Sequence, residues 1–299
     1  MHRVKWTCIG ALLALSSARA AELPPRPTVA DVVKGSKPAD WRALDPVNTL
    51  YMEVPGGRVV IELAPSFAPK HAANIRLLAR ENYFDGLAVI RAQENYVVQW
   101  GDADEKTPRP FKTAKATLPA EFTIPASSAP AFVRLPDGDV YAPEVGHANG
   151  FPVARDPKTG LAWLTHCYGM VGVGRDTAAD SGGGSSLYVV IGHAPRHLDR
   201  NITVVGRVVA GMSLLTTLPR GTGPLGFYEQ PSQHVPIATF RVAADVPLEQ
   251  RSRLEVMRTD GATYQAVLDA QRKRGGPWTK YAVGKVDLCN AQIPVRAVP

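Results

Sequence analysis

The sequence predicts a mainly β protein whose centre is a closed, eight-stranded antiparallel barrel capped by helices. Short apolar runs recur through residues 48–245, and turns that contain Gly or Pro separate them. Clear helical spacing is rare in that range. At 299 residues, the chain is long enough for one large domain with appendages. We expect a long loop insertion at about residues 126–164 and a C-terminal helical extension at residues 246–299.

The first twenty residues, Met1–Ala20, have the pattern of a secretory signal peptide. Arg3 and Lys5 precede a short apolar run, and Ala18-Arg19-Ala20 fits an A-x-A cleavage site. The apolar run is too short for a membrane span. An uncleaved anchor is the alternative. Cleavage predicts a periplasmic or secreted protein with no stable membrane insertion afterwards.

Charge and motifs exclude several function classes. Removing Arg3, Lys5 and Arg19 lowers the formal net charge from +7 to +4, and no basic run is interleaved with aromatics, so we expect no nucleic-acid partner. The seven histidines lack metal-ligand spacing, so we expect no metal. The serines of Ser181–Ser186 lack a Gly-x-Ser-x-Gly elbow, which argues against a serine hydrolase.

The barrel domain begins after an N-terminal arm. Residues 21–47 are rich in Pro, Ala and charge and predict a linker or loosely packed arm, with no more than a helical turn at Val29–Val33. Thr49–Val54 and Arg58–Leu63 are β runs on either side of Pro55-Gly56-Gly57, which predicts a hairpin.

A helix and two central strands follow the hairpin. Ala68–Asn82 has helical spacing, and we expect its apolar face to close one end of the barrel; that face consists of Ala72, Ile75, Leu78 and Ala79. Leu87–Ile90 and Tyr96–Trp100 are short apolar strands. If they pair, Arg91 lies beside Gln99, next to an apolar slot.

The predicted insertion, residues 126–164, is rich in Pro, Gly and small polar residues. It contains one hairpin signal, in which Phe132–Leu135 and Asp139–Tyr141 flank Pro136-Asp137-Gly138. A substrate-selecting flap and simple loop decoration both fit this composition.

The later strands complete the barrel. His166–Val173 and Ser186–Ile191 flank the glycine-rich loop Gly174–Ser185, which lacks the Lys-Ser/Thr of a phosphate-binding loop and predicts a tight loop. Ile202–Val208 and Pro236–Val242 are the last two predicted strands.

The C-terminal extension has two helical candidates, Leu248–Met257 and Ala262–Arg272. No period can be assigned to residues 278–299. Removal of the signal peptide leaves two cysteines, Cys167 and Cys289, which can form a disulfide in an oxidising compartment. A buried free thiol at Cys167 is the alternative.

Several segments together resemble one known family. The run Phe84–Asp102, F-x-G-L-x-x-x-R-x-x-x-x-Y-V-V-Q-x-G-D, resembles the central signature of the cyclophilin-type peptidyl-prolyl isomerases. Residues 48–64 and 68–82 resemble the opening hairpin and first helix of that family, and residues 169–192 and 198–212 resemble its later strands. The resemblance covers residues 48–245 and is interrupted by the insertion.

The resemblance implies a peptidyl-prolyl cis-trans isomerase that needs no cofactor and acts on proline-containing polypeptides. Arg91 matches the catalytic arginine, and Gln99 matches the residue that orients it. Val171, Gly172 and Val173 match the strand that pairs with the substrate backbone. The walls of the proline pocket correspond to Tyr96, Val97, Tyr188 and Leu198.

Four positions depart from the family pattern. Ile90 and Ile202 stand where the family has histidines, Ser186 stands where a glutamine contacts the substrate, and His197 replaces a tryptophan. Losing one substrate hydrogen bond costs about 1–2 kcal/mol, so we expect attenuated activity or altered specificity. The alternative function is a non-catalytic proline-peptide-binding chaperone or scaffold module.

Overall fold

The computed structural model describes residues 26–104, 106–275 and 278–298. The predicted signal peptide, Met1–Ala20, lies outside these ranges. The described residues form four α-helices and seventeen strands. In chain order they are α1 Val29–Lys34, β1 Trp41–Ala43, β2 Thr49–Val54, β3 Gly57–Leu63, α2 Pro69–Arg80, β4 Ala88–Ala92, β5 Val97–Gly101, β6 Ile124–Pro125, β7 Phe132–Leu135, β8 Glu144–Ala148, β9 Phe151–Asp156, β10 Leu161–Leu164, β11 Met170–Val173, β12 Leu187–Val190, β13 Val204–Ala210, α3 Met212–Thr216, β14 Val235–Pro236, β15 Thr239–Val242, β16 Leu254–Met257, α4 Ala262–Lys273 and β17 Val295–Ala297.

The largest sheet is antiparallel and has nine strands in the order β14-β4-β5-β12-β11-β13-β3-β2-β15. Its two edge strands, β14 and β15, are consecutive in the chain, separated by only two residues, so the sheet curls back towards its own first edge. These edge strands do not pair with each other. The mainly β prediction is confirmed, but a closed barrel of eight strands is not, because the curled sheet has nine strands and a gap in its ladder.

The predicted hairpin and first helix are both present. β2 and β3 pair with Val54 opposite Gly57, and Gly56 supplies the left-handed turn conformation with φ +95°. The helix α2 begins at Pro69, where the missing N–H has no helical partner to lose. Its predicted apolar face packs in the core of the nine-stranded sheet, and the buried residues of that face are Ala72, Ile75, Leu78 and Ala79.

The insertion is a folded sheet, so the prediction of a long loop is wrong. Strands β6 to β10 form a five-stranded antiparallel sheet in the order β6-β10-β9-β8-β7. The predicted strand Phe132–Leu135 is confirmed, but its partner is β8. The segment Asp139–Tyr141 does not pair with it, because the Asp139 carboxylate is buried in an ion pair with Arg196. Strand pairing resumes only at Glu144.

The arm, the insertion and the extension share a second hydrophobic core, and Trp41, Val145 and Tyr264 are buried in it. The arm is therefore not a loose linker. Part of the extension also differs from its prediction. A helix is predicted over Leu248–Met257, but Leu254–Met257 form the strand β16, which pairs with β1 and β17. The second helix is confirmed as α4. No helix in the described ranges is long and apolar enough to cross a membrane.

A disulfide joins the extension to the segment that precedes β11. The sulfurs of Cys167 and Cys289 are 2.06 Å apart, and the two residues are separated by 122 positions. Cross-links between positions this distant reduce the conformational freedom of the unfolded chain. The bond therefore holds the C-terminal part of the chain against the second core.

A buried carboxylate joins the two cores. Glu62 on β3 lies 2.5 Å from the Arg42 guanidinium on the arm and 3.1 Å from the Arg207 guanidinium on β13. All three side chains are at most 15% exposed. Removing one partner of a buried ion pair leaves the other charge without compensation in a low-dielectric interior.

We predict that Glu62→Gln lowers the free energy of unfolding by about 3–5 kcal/mol, because two buried guanidinium groups then lose their counter-charge. Chemical denaturation followed by circular dichroism measures this. The matched control is Glu53→Gln, whose partner Arg58 is about 29% exposed, and we expect a loss below about 1 kcal/mol there. Equal losses in the two variants would contradict the role of Glu62.

Candidate active site

A cleft of about 560 Å³ lies on the face of β5 and β12 that points away from the core of the nine-stranded sheet. Alternation along β5 sends Val98 and Trp100 into that core and leaves Val97 and Gln99 facing the cleft. The residues lining the cleft are Ile90, Arg91, Tyr96, Val97, Gln99, Asp102, Gly174, Arg175, Asp176, Ser181, Gly182, Ser185, Ser186, Tyr188, Leu198, Ile202, Leu225 and Phe227.

A bulge in β4 directs Arg91 into this cleft. The β4–β5 register shifts between Val89 and Arg91, so that Arg91 lies opposite Gln99. The extra residue is Ile90. Val89 is buried in the core, whereas both Ile90 and Arg91 line the cleft. A bulge places successive side chains on one face in this way, and bulges often occur next to functional sites.

Three oxygen acceptors fix the Arg91 guanidinium. Its Nη1 donates to Gln99 Oε1 at 3.0 Å, and its Nε donates to the Leu225 carbonyl at 2.7 Å. Its Nη2 donates to Gln93 Oε1. Because these acceptors lie on three different segments, the planar group is held in one orientation before any ligand arrives.

Two aromatic rings lie beside the same guanidinium. Its carbon is 5.5 Å from the centre of the Tyr96 ring and 5.2 Å from that of the Phe227 ring. Burial lowers the pKa of Arg91, and interactions with Tyr96 and Tyr188 oppose that shift. Arginine nevertheless stays charged in proteins. The cleft therefore contains a positive charge that is held in one orientation and has two aromatic rings beside it.

Gln99 connects Arg91 to the opposite side of the cleft. Its Oε1 accepts from Arg91, and its Nε2 donates to Ser186 Oγ at 3.0 Å. This bonding defines the orientation of the amide. The structure therefore brings together Arg91, Gln99 and Ser186, three of the predicted site residues.

An apolar wall stands next to the guanidinium. Val97, Tyr188 and Val190 form a small buried cluster, and Tyr96 and Ile202 pack against it. Four predicted wall residues line the cleft, namely Tyr96, Val97, Tyr188 and Leu198.

Four predicted substrate-binding residues do not line the cleft. Val171 and Val173 are buried in the core of the nine-stranded sheet, and both edges of their strand β11 are paired, with β12 and with β13. The strand that includes Gly172 therefore has no free edge to pair with a peptide backbone. His197 is exposed to solvent and lies outside the cleft lining.

The sequence reasoning missed the segment around Leu225 and Phe227. It provides one acceptor and one aromatic ring for Arg91, more than 130 positions further along the chain. Leu225 has φ +57°, a left-handed conformation that is uncommon for leucine. The only signal was the turn sequence Pro224-Leu225-Gly226, which does not identify a spatial partner. Gln93 and Arg175 were missed as well.

The glycine-rich loop Gly174–Ser185 packs tightly, as predicted. The side chains of His71 and Asn74 on α2 contact the carbonyls of Gly182 and Gly183 at 3.2 and 2.8 Å. A Cβ on Gly183 would lie 2.4 Å from the Lys115 carbonyl. Glycine is needed here because the backbones approach closely. Within the described ranges, no group of three or more His, Cys, Asp or Glu residues is arranged to hold a metal.

The chain is similar to several known proteins. The family model "Cyclophilin type peptidyl-prolyl cis-trans isomerase/CLD" matches residues 49–242. A Brucella suis protein named "Probable peptidyl-prolyl cis-trans isomerase" is 28% identical over 189 residues, which cover 60% of this chain and 76% of the relative. The crystal structure of cyclophilin AquaCyp293 from Hirschia baltica matches with a TM-score of 0.67 and 25% identity, over 90% of this chain and 98% of that one.

We predict that Phe227→Ala increases the rate of solvent exchange of the Arg91 Nε–H, because loss of the aromatic ring beside the guanidinium gives water access to that side. Nitrogen-15 NMR of the arginine side chains measures this rate. The control is Phe122→Ala, which removes the ring beside Arg175, 5.7 Å from its guanidinium carbon. An unchanged Arg91 exchange rate in Phe227→Ala would contradict the shielding role.

Proposed function

This chain belongs to the cyclophilin-type peptidyl-prolyl cis-trans isomerase family, and on that premise we propose that Arg91 accelerates the rotation of X–Pro bonds in exported polypeptides. The observation that carries the proposal is the Arg91 guanidinium, held by three acceptors beside an apolar wall. The substrates are proline-containing polypeptides, and the role is assistance in folding.

The reaction requires weakening of amide resonance and no covalent step. The barrier to rotation is roughly 20 kcal/mol because the prolyl nitrogen lone pair is delocalised into the carbonyl. A cation or donor aimed at that nitrogen favours its pyramidal form and reduces the double-bond character. Shortening a relaxation of tens of seconds to milliseconds requires about 5–6 kcal/mol of transition-state stabilisation.

The fixed orientation of Arg91 supports this mechanism. A preorganised charged donor contributes about 3 kcal/mol to a transition state, because it need not reorganise during the reaction. The two rings beside the guanidinium replace part of its contact with water, and a lower local dielectric strengthens its field at the prolyl nitrogen. The rest of the stabilisation comes from binding the twisted amide better than either planar form.

The apolar wall supports the choice of substrate. Val97, Tyr188, Leu198 and Ile202 offer a surface without charge to the pyrrolidine ring. Where the family has a glutamine that contacts substrate, the Ser186 hydroxyl accepts from Gln99 and still has an O–H to donate to a substrate carbonyl. A shorter donor of this kind fits attenuated activity better than lost activity.

Export is the second part of the proposal. Two features support it: the signal-peptide pattern of Met1–Ala20 and the Cys167–Cys289 disulfide. Disulfides persist in oxidising compartments and are rare in the cytosol. The proposed compartment is the periplasm.

We predict that Arg91→Ala lowers kcat for an Ala-Pro test peptide about 100-fold, because the donor to the prolyl nitrogen is lost. A protease-coupled or NMR exchange assay measures the rate. Arg80→Ala removes an exposed arginine on α2 that pairs with Asp245, and it serves as the matched control with an unchanged rate. A wild-type protein that binds the peptide without accelerating rotation would instead be a non-catalytic binding module.

We predict that the full chain, expressed in a double-membraned bacterium, accumulates in the periplasmic fraction without its first twenty residues. Intact mass and thiol alkylation should then show no free cysteine. Leu13→Arg interrupts the apolar run and is expected to leave the precursor in the cytosol. Recovery of uncleaved wild-type protein with free thiols from the cytosol would contradict export.

A further inference from the structure

The hydroxyl of Tyr188 points away from the cleft, into the protein. Its Oη lies 2.8 Å from His166 Nε2, and both residues are buried. Gly172 faces Tyr188 across the β11–β12 ladder, and a Cβ there would lie 2.3 Å from Oη. The neighbouring strand thus leaves the space that a tyrosine needs.

Asp199 orients the His166 imidazole through its other ring nitrogen, Nδ1. Nδ1 lies 3.0 Å from Asp199 Oδ1, and the His166 backbone N–H donates to the same oxygen at 2.9 Å. Burial opposes it, but hydrogen bonds from His166 and the charge of Arg196 lower the pKa of Asp199, which is therefore a carboxylate. Nδ1 then carries a ring hydrogen and donates it to the carboxylate, while Nε2 shares a hydrogen bond with the Tyr188 hydroxyl.

The same network continues into the inserted sheet region. Arg196 donates to Asp199 at 2.6 Å and donates two hydrogen bonds, each 3.0 Å long, to the Asp139 carboxylate. The three side chains are at most 7% exposed. Asp139 lies between β7 and β8 of the insertion. A continuous hydrogen-bonded chain thus connects the insertion to the wall of the cleft.

We propose that His166 is a positioning residue of this isomerase, which holds the Tyr188 ring in place as the wall for the substrate proline. Asp199, Arg196 and Asp139 fix the imidazole that is hydrogen-bonded to the phenol. An apolar wall needs no polar atom, and each buried polar group is costly unless it is bonded. The network fixes the direction in which the ring extends from the backbone, because rotation about the Cα–Cβ bond would break a buried hydrogen bond.

This inference rests on the proposed function and extends it to the insertion, whose Asp139 completes the support of the cleft. The wall contacts the pyrrolidine ring in the planar and twisted forms alike. Loss of the support therefore weakens the binding of both forms, which raises KM and leaves kcat nearly unchanged. Arg91 acts on the transition state, so its loss lowers kcat.

The test compares Tyr188→Phe, His166→Leu and the double variant in the disulfide-bonded protein, with KM and kcat for an Ala-Pro peptide. We expect each single variant to raise KM about fivefold with kcat within about twofold of wild type. The KM of the double variant should be no higher than the higher of the two single-variant KM values, because both changes break the same contact.

The matched control is Tyr264→Phe. Tyr264 Oη lies 3.2 Å from His147 Nε2 in the second core, and both residues are buried. Burial, with the charge of Arg207 adding to it, lowers the pKa of His147 to about 3, so this pair is a buried tyrosine–histidine contact with a neutral imidazole. We expect Tyr264→Phe to lower the melting temperature as Tyr188→Phe does, with KM unchanged.

A Tyr188→Phe variant with KM within twofold of wild type would overturn the inference, and so would an equal rise in KM in Tyr264→Phe. If His166→Leu does not fold, Tyr188→Phe and its control decide the matter. If wild type has no isomerase rate, the proposed function fails, and calorimetric titration with the same peptide tests the wall separately. The inference then requires a Kd about fivefold weaker in Tyr188→Phe.

Discussion

The pairing of β4 with β5 is the constraint on which the cleft depends. A bulge at Ile90 places Arg91 opposite Gln99 and turns its side chain away from the core. Without the extra residue, strict alternation would direct Arg91 and Val89 to the same side, and Val89 is buried. A guanidinium cannot replace an aliphatic side chain in that core at an acceptable energetic cost. One irregular ladder position thus determines whether the protein has a cation in its cleft.

The site draws its supporting groups from distant parts of the chain. Gln99 belongs to the adjacent strand, Leu225 and Phe227 come from the loop after α3, and His166 lies beside the disulfide. Each group restricts the movement of Arg91 or of a side chain in the apolar wall. This arrangement suits a reaction without covalent steps, since rate acceleration then depends on fixed electrostatics and on the shape of the binding surface.

The insertion and the terminal segments pack together around a second hydrophobic core. They share one hydrophobic core, and that core is joined to the nine-stranded sheet by Glu62 between Arg42 and Arg207. The Arg196–Asp139 pair makes a second connection close to the cleft. The similarity to AquaCyp293 extends over 90% of this chain, whereas the family model ends at residue 242. The structural similarity to that protein therefore extends beyond residues 49–242 into the terminal segments of this chain.

The sequence alone determined the local features, namely the hairpin at Pro55-Gly56 and the apolar face of α2, and it predicted Arg91 beside Gln99 on condition that their strands pair. These depend on short-range periodicity and on two strands close in the chain. Only the tertiary structure decided the rest. Leu225 and Phe227 reach Arg91 across more than 130 residues, and Leu254–Met257 is a strand because β1 and β17 offer it two edges. Val171 and Val173 are buried because their side chains face the core of the nine-stranded sheet, and both edges of their strand β11 are paired. Contacts between residues that are distant in sequence produce no periodic pattern in that sequence. They are therefore visible only in the packed structure.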